Sequence, residues 1–76
     1  MTPRNNDSVG FTYLNLGGLL TQLERWEEAA SAYQRALLLE PEHAAGHYRL
    51  ANCYRHLGRS EESQASLAEA YRLNPE

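Results

Sequence analysis

Lysine and isoleucine are absent from this 76-residue chain, and valine, tryptophan and cysteine occur once each. Each shortage excludes something. With no isoleucine and a single valine, the β-branched residues that fill strands are scarce, while alanine, leucine, glutamate and arginine, all good helix formers, are plentiful. The fold class expected is therefore all-α. One cysteine, Cys53, excludes an internal disulfide. The longest apolar run, Ala36 to Leu39, is far too short to span a bilayer. Met1 to Gly10 is polar and lacks the apolar core of a signal peptide, so a cytoplasmic location is the default expectation. There is no basic excess: the net charge is −3, which argues against a nucleic-acid or anionic-membrane binder. The missing lysines mean that all seven cations are arginines, each able to form bidentate bonds to carboxylates or phosphates.

What is present is enough for one small helical domain. Apolar residues make up 42% of the chain, too many for a disordered tail. A chain this short buries only about 60% of its unfolded surface, so its core is small.

The clearest segment is Arg25 to Pro41. Trp26, Ala29, Ala30, Tyr33, Ala36 and Leu37 recur at spacings of three and four and share one helix face. Glu27 and Glu28 fall in the first turn, where carboxylates meet the positive end of the helix dipole. Pro41 lacks an N–H and disfavours a helical Glu40, which ends the helix. A helix over roughly 26–39 follows. Residues 1–8, with Pro3, Asn5, Asn6 and Asp7, read as a flexible leader in which Asp7 or Ser8 can cap the next helix. A first helix is expected over roughly 9–23. Its Phe11, Leu14, Leu16, Leu19, Leu20 and Leu23 spread wider than one stripe and fit a helix with neighbours on two sides. Gly17-Gly18 in its middle costs on the order of 1 kcal/mol per residue, tolerable where another backbone must come close. A third helix is expected over 44–56, with His47, Leu50, Ala51, Tyr54 and Leu57 on one stripe, and a fourth after Ser60 as N-cap. The turns at Leu23-Glu24-Arg25 and Leu57-Gly58-Arg59 are short enough to set their helices antiparallel. Glycine suits the left-handed position of such a turn, and Glu24 in its place implies strain.

These segments are two copies of one pattern. Setting residues 10–42 against 44–76 gives nine identities at a spacing of 34, among them Leu16/Leu50, Arg25/Arg59, Glu27/Glu61, Ala36/Ala70 and Pro41/Pro75. Large sites pair with large and small with small, as stacked copies of one packing unit require. On these residues the chain resembles the tetratricopeptide repeat family. Tyr13, Leu16-Gly17, Ala29, Tyr33, Ala36 and Pro41 match in the first copy, and Leu50, Tyr54, Ala70 and Pro75 in the second. His47, Ala51, Ser63 and Leu67 depart from the pattern, so the second copy reads as less tightly packed. The resemblance implies two antiparallel helix-turn-helix hairpins stacked as a short right-handed α-solenoid, with a leader over 1–8 and repeats over 9–42 and 43–76. It also implies that the small pairs Gly17/Ala29 and Ala51/Ser63 face each other where the helices of a hairpin cross.

Chemistry-bearing residues are few. His43 and His47 are one turn apart and Cys53 and His56 three residues apart. His56, however, lies about 900° around one helix from His47 and about 13 Å along it, so the four cannot form one metal site. There is no phosphate-cradling glycine loop and no plausible Ser/His/Asp set. No enzyme, metal or cofactor is expected.

Binding is the stronger expectation. The resemblance implies a concave groove lined by the first helix of each repeat: Phe11, Leu14, Asn15, Gly18, Thr21 and Gln22, then Ala45, Tyr48, Arg49, Asn52, Arg55 and His56. Helical geometry alone sets Tyr48, Arg49, Asn52, Arg55 and His56 apart from the Leu50/Tyr54 stripe. The best candidate partner-binding residues are Asn15, Tyr48, Arg49, Asn52, Arg55 and His56, and the two arginines suit a protein or peptide bearing carboxylates. A plain solvated face would carry the same residues. Arg49 and Asn52 stand at positions that in some family members clamp a C-terminal carboxylate, but Leu14 and Gly18 occupy the rest of that clamp, so a full clamp is not expected. A stack of this type ordinarily takes about three units with a polar capping helix. Two uncapped units, with Leu67, Tyr71 and Leu73 partly bare, would invite a homo-oligomer, and self-association through the repeat ends is the alternative expectation.

Overall fold

A computed structural model describes residues 5–75 as four α-helices in two hairpins: α1 (Asn5–Gln22), α2 (Trp26–Leu39), α3 (Ala44–His56) and α4 (Ser60–Leu73). The all-α class and the stacked-hairpin architecture are as expected. Helices α1 and α2 pack as one hairpin, α3 and α4 as the other, and α2 packs on α3 to join them. The inner pair is thus covered on two sides and the outer pair on one.

The starts of α2 and α4 are electrostatic rather than side-chain capped. Arg25 and Arg59 stand at the N-cap positions of α2 and α4 with no side-chain cap bond, and their carbonyls accept from Ala29 and Ser63 N–H at 2.9 Å. Glu27, Glu28, Glu61 and Glu62 then place negative charge on the dipole's positive end. Ser60, expected as the cap, is instead the first residue of α4, because the tight turn commits Arg59 to the cap position. Helix α1 starts at Asn5, so Asp7 and Ser8 lie inside it rather than capping it, and the leader expected over 1–8 gives up its second half to the helix. Residues 1–4 lie outside the described residues.

Both hairpin turns have the same hydrogen bonds. Arg25 N–H donates to Leu20 O at 2.8 Å and Glu24 N–H to Thr21 O at 2.9 Å. Arg59 to Tyr54 (2.9 Å) and Gly58 to Arg55 (3.1 Å) repeat them. This is the Schellman closure, whose pivot residue must be left-handed. Gly58 holds φ 78° and Glu24 φ 61°, the one non-glycine residue with positive φ among the described residues, so the strain expected at Glu24 is present.

The core runs through the middle of the stack: Ala29, Ala30, Tyr33, Leu37, Leu50, Cys53 and Tyr54 form one cluster, with Leu14, Leu20, Trp26 and Leu57 packed against it. Gly17 admits the Tyr33 ring. A Cβ on Gly17 would stand 2.6 Å from Tyr33 Cε1, far inside contact distance. The group that comes closest at Gly17 is therefore an aromatic side chain, where the sequence led us to expect a backbone. Gly18 has no such neighbour; its nearest approach is the Tyr33 hydroxyl at 3.9 Å. In the second hairpin Ala51 and Ser63 do meet, Ser63 Oγ donating to Ala51 O at 2.9 Å.

The seam between hairpins is more varied. A Cβ on Gly46 would meet Leu37 Cδ2 at 2.9 Å, so the missing side chain is what lets Leu37 in. Gln34 Nε2 donates to Tyr54 Oη at 2.6 Å, and Trp26 stacks on His56 with ring centroids 3.7 Å apart and planes within 3°. Arg59 reaches back to Glu27 (3.7 Å) as well as to Glu62 (3.7 Å). The α1 helix differs from expectation here. It packs on α2 alone among the well-packed pairs, and Leu16, Leu19 and Leu23 stay exposed, so the second neighbour its sequence anticipates is not supplied within the described chain.

Candidate functional site

The site is built by one helix from each hairpin. Helices α1 and α3 border a concave groove in two connected reaches. One, a cavity of about 370 Å³, is lined by Thr21, Tyr33, Ala45, Tyr48, Arg49 and Asn52. The other is bordered by Phe11, Leu14, Asn15, Gly18, Leu19 and Gln22 on the α1 side and His43, Ala45 and Arg49 on the α3 side. Ala45 and Arg49 belong to both reaches and make the groove continuous.

Of the six candidate residues, Asn15, Tyr48, Arg49 and Asn52 line this groove. Arg55 sits one turn further along α3 and donates through Nη2 to Asn52 Oδ1 at 2.6 Å, so it touches the groove only through that amide. His56 does not join them. Its ring is committed to the Trp26 stack at the start of α2. Angular position on α3 separates His56 from the buried stripe, but only the fold reveals that a tryptophan from the other hairpin stacks on its ring, which is otherwise exposed. Tyr33, not anticipated as a groove residue, contributes to the floor through its position under Gly17 and Gly18. Its spacing on the buried stripe of α2 gave no sign of that second role.

The electrostatics of the groove are distinct from those of the chain. No carboxylate lines either reach. Arg25, Arg59 and Arg72 are each paired with a glutamate, whereas Arg49 has no ion-pair partner among the described residues. At the far end of α4, Arg72 Nε donates to Glu69 Oε2 at 2.9 Å, and this bond holds the Glu69 carboxyl below its usual range. Those charges neutralise each other on an exposed surface away from the groove.

The remaining candidates for chemistry are engaged elsewhere. His47 Nε2 donates to Pro41 O at 2.8 Å, tying the inter-repeat loop to α3. Cys53 is fully buried in the core cluster, and burial pushes its thiol pKa up, toward the protonated, weakly nucleophilic form. Among the described residues, no group of three or more His, Cys, Asp or Glu is placed to hold a metal ion. None of the described helices is long and apolar enough to cross a membrane.

Two antiparallel helical hairpins related by a 34-residue shift, sharing a groove along the first helix of each, define a helical-repeat protein. The tetratricopeptide repeat family model matches residues 14–76, and the chain belongs to that family. Proteins of this family serve in general as protein–protein interaction modules. A search of curated proteins returned no match.

Proposed function

We propose that the groove between α1 and α3 binds an extended, carboxylate-bearing peptide segment of a partner protein. The observation that carries this reading is the charge of the groove: in a chain of net charge −3, it contains Arg49 and no carboxylate. An arginine without an internal partner is free to make charge-assisted, bidentate bonds to a ligand carboxylate. Tyr48, exposed on the same wall, supplies stacking area, and the amides of Asn15 and Asn52 can bond the peptide backbone. Arg55, held on Asn52, is a secondary contact. On this reading the groove acts by binding.

The test is a titration of a fluorescently labelled acidic peptide into the wild-type chain and into Arg49→Ala. Loss of one charge-assisted contact weakens binding roughly ten-fold, and added salt weakens the wild type toward the variant. Arg55→Ala has a smaller effect. Equal affinities for wild type and Arg49→Ala would remove the reading.

A second reading, self-association through the outer helices, is supported by a separate observation. Leu16 and Leu19 of α1, Leu23 just after it, and Tyr71 of α4 are large apolar residues left exposed on the two outer helices of the stack.

A further inference from the structure

The seam inside the chain specifies how a second copy would dock, a point that rests on the self-association reading and gives it a direction. The repeat maps each seam residue onto another position by a shift of 34. Shifted forward, the seam face of α2 becomes the outer face of α4. Shifted back, the seam face of α3 becomes the outer face of α1. The same two surfaces that close on each other within the chain are therefore both presented, unpaired, at its ends.

The shifted pairs agree in chemistry one by one. The ion pair Arg59–Glu27 becomes Arg25 with Glu61, the same two residue types. Arg25 is bound to Glu28 as Arg59 is to Glu62, but lacks the second carboxylate that Arg59 has, and Glu61 has no ion-pair partner among the described residues. The hydrogen-bonded pair Gln34–Tyr54 becomes Ala68 with Leu20, both now apolar. The aromatic stack Trp26–His56 becomes Ser60 with Gln22, both now polar. The ion pair is kept unchanged, and in the other two pairs both partners have changed together. Burial shows what is left uncovered: Leu50 is 6% exposed and its counterpart Leu16 42%, Cys53 is 0% and its counterpart Leu19 59%. The close fit of Leu37 in the space left by Gly46 has no such matched counterpart: it becomes Tyr71 against Thr12, two larger residues, which makes the shifted interface looser than the internal one.

We propose that a second copy of this chain docks head to tail, α4 of one copy on α1 of the next, with Arg25 of the second paired to Glu61 of the first. Such a contact is heterologous: it leaves one free end of each kind and does not close on itself.

Two substitutions at exposed positions test both the contact and its direction. Leu19→Asp blocks the α1 end, and Tyr71→Asp blocks the α4 end. Circular dichroism melts first establish that both variants keep the wild-type fold. In sedimentation equilibrium the wild type gains mass with concentration, with dissociation on the order of 0.1–1 mM, as expected of a small interface. Each variant alone stays a monomer, and a mixture of the two forms a one-to-one dimer. Charge reversal refines the result: in that mixture Arg25→Glu on the Tyr71→Asp copy weakens the dimer about two- to five-fold, and Glu61→Arg on the Leu19→Asp copy restores it. A wild type that remains monomeric to about 1 mM would overturn both the self-association reading and the head-to-tail contact. Association of either variant by itself would keep self-association and overturn the head-to-tail direction.

Discussion

The two hairpins share nine identical positions yet are packed differently, and the differences separate two kinds of contact. Ala36 and Ala70, one repeat apart, are both buried, because each faces the other helix of its own hairpin. Leu16 and Leu50 are also identical, but only Leu50 is buried, because its cover comes from the neighbouring hairpin. Identity across the repeat thus preserves the unit, while burial depends on whether a neighbour is there. Within the unit, the hairpins solve the same crossing in two ways. The first seats a tyrosine ring in the space of a glycine; the second has Ala51 and Leu67 at those positions, and adds the Ser63 to Ala51 hydrogen bond. The second copy's departures from the family pattern at Ala51, Ser63 and Leu67 are therefore coordinated: a smaller ring-site residue accompanies a larger crossing residue, and the lost aromatic area is partly offset by a polar tie.

Three pairs of substitutions test that contrast. The largest effect is expected at the ring site. Tyr33→Ala removes a side chain 1% exposed and should cost about 3–5 kcal/mol, enough to unfold a domain of this size. Leu67→Ala, at a half-buried site in the other hairpin, should cost about 1–2 kcal/mol by the same transfer argument. Urea melts followed by circular dichroism measure both, and equal losses would show that the hairpins do not differ as described. Next come the adjacent glycines. Gly17→Ala should destabilise by about 1–3 kcal/mol through collision with Tyr33. Gly18→Ala should stabilise by about 0.5–1 kcal/mol through better helix propensity. Opposite signs one residue apart, read as opposite shifts in melting temperature, are the signature of the ring seat. The smallest effect lies in the turns. Glu24→Gly should gain about 0.5–1 kcal/mol by relieving the left-handed glutamate, and Gly58→Ala should lose a similar amount. A gain at Glu24 brings the first turn level with the second.

Much of this was legible beforehand, for physical reasons. Helices α2 and α3 fall where the apolar spacing and Pro41 put them, since periodicity and a missing N–H act locally. The groove residues Tyr48, Arg49 and Asn52 were legible because angular position on a helix follows from residue number, and Asn15 through the family resemblance alone. The start of α1 was not, because Asn5 to Ser8 are polar and aperiodic, and nothing in them marks a helix. The neighbour of Gly17 was missed because a glycine announces a close approach without naming what approaches. The stack of His56 was hidden for a related reason: an angle tells which way a side chain leaves its helix, not which residue from elsewhere meets it.

The groove has one wall from each hairpin, so neither hairpin alone fixes its width. That dimension is held by the seam on the other side of the helices: Leu37 seated at Gly46, Gln34 bonded to Tyr54, and Trp26 stacked on His56. The groove is a jaw and the seam its hinge. A ligand that grips Asn15 on one wall and Arg49 on the other also holds the hairpins together, so binding and folding draw on the same free energy and each raises the other.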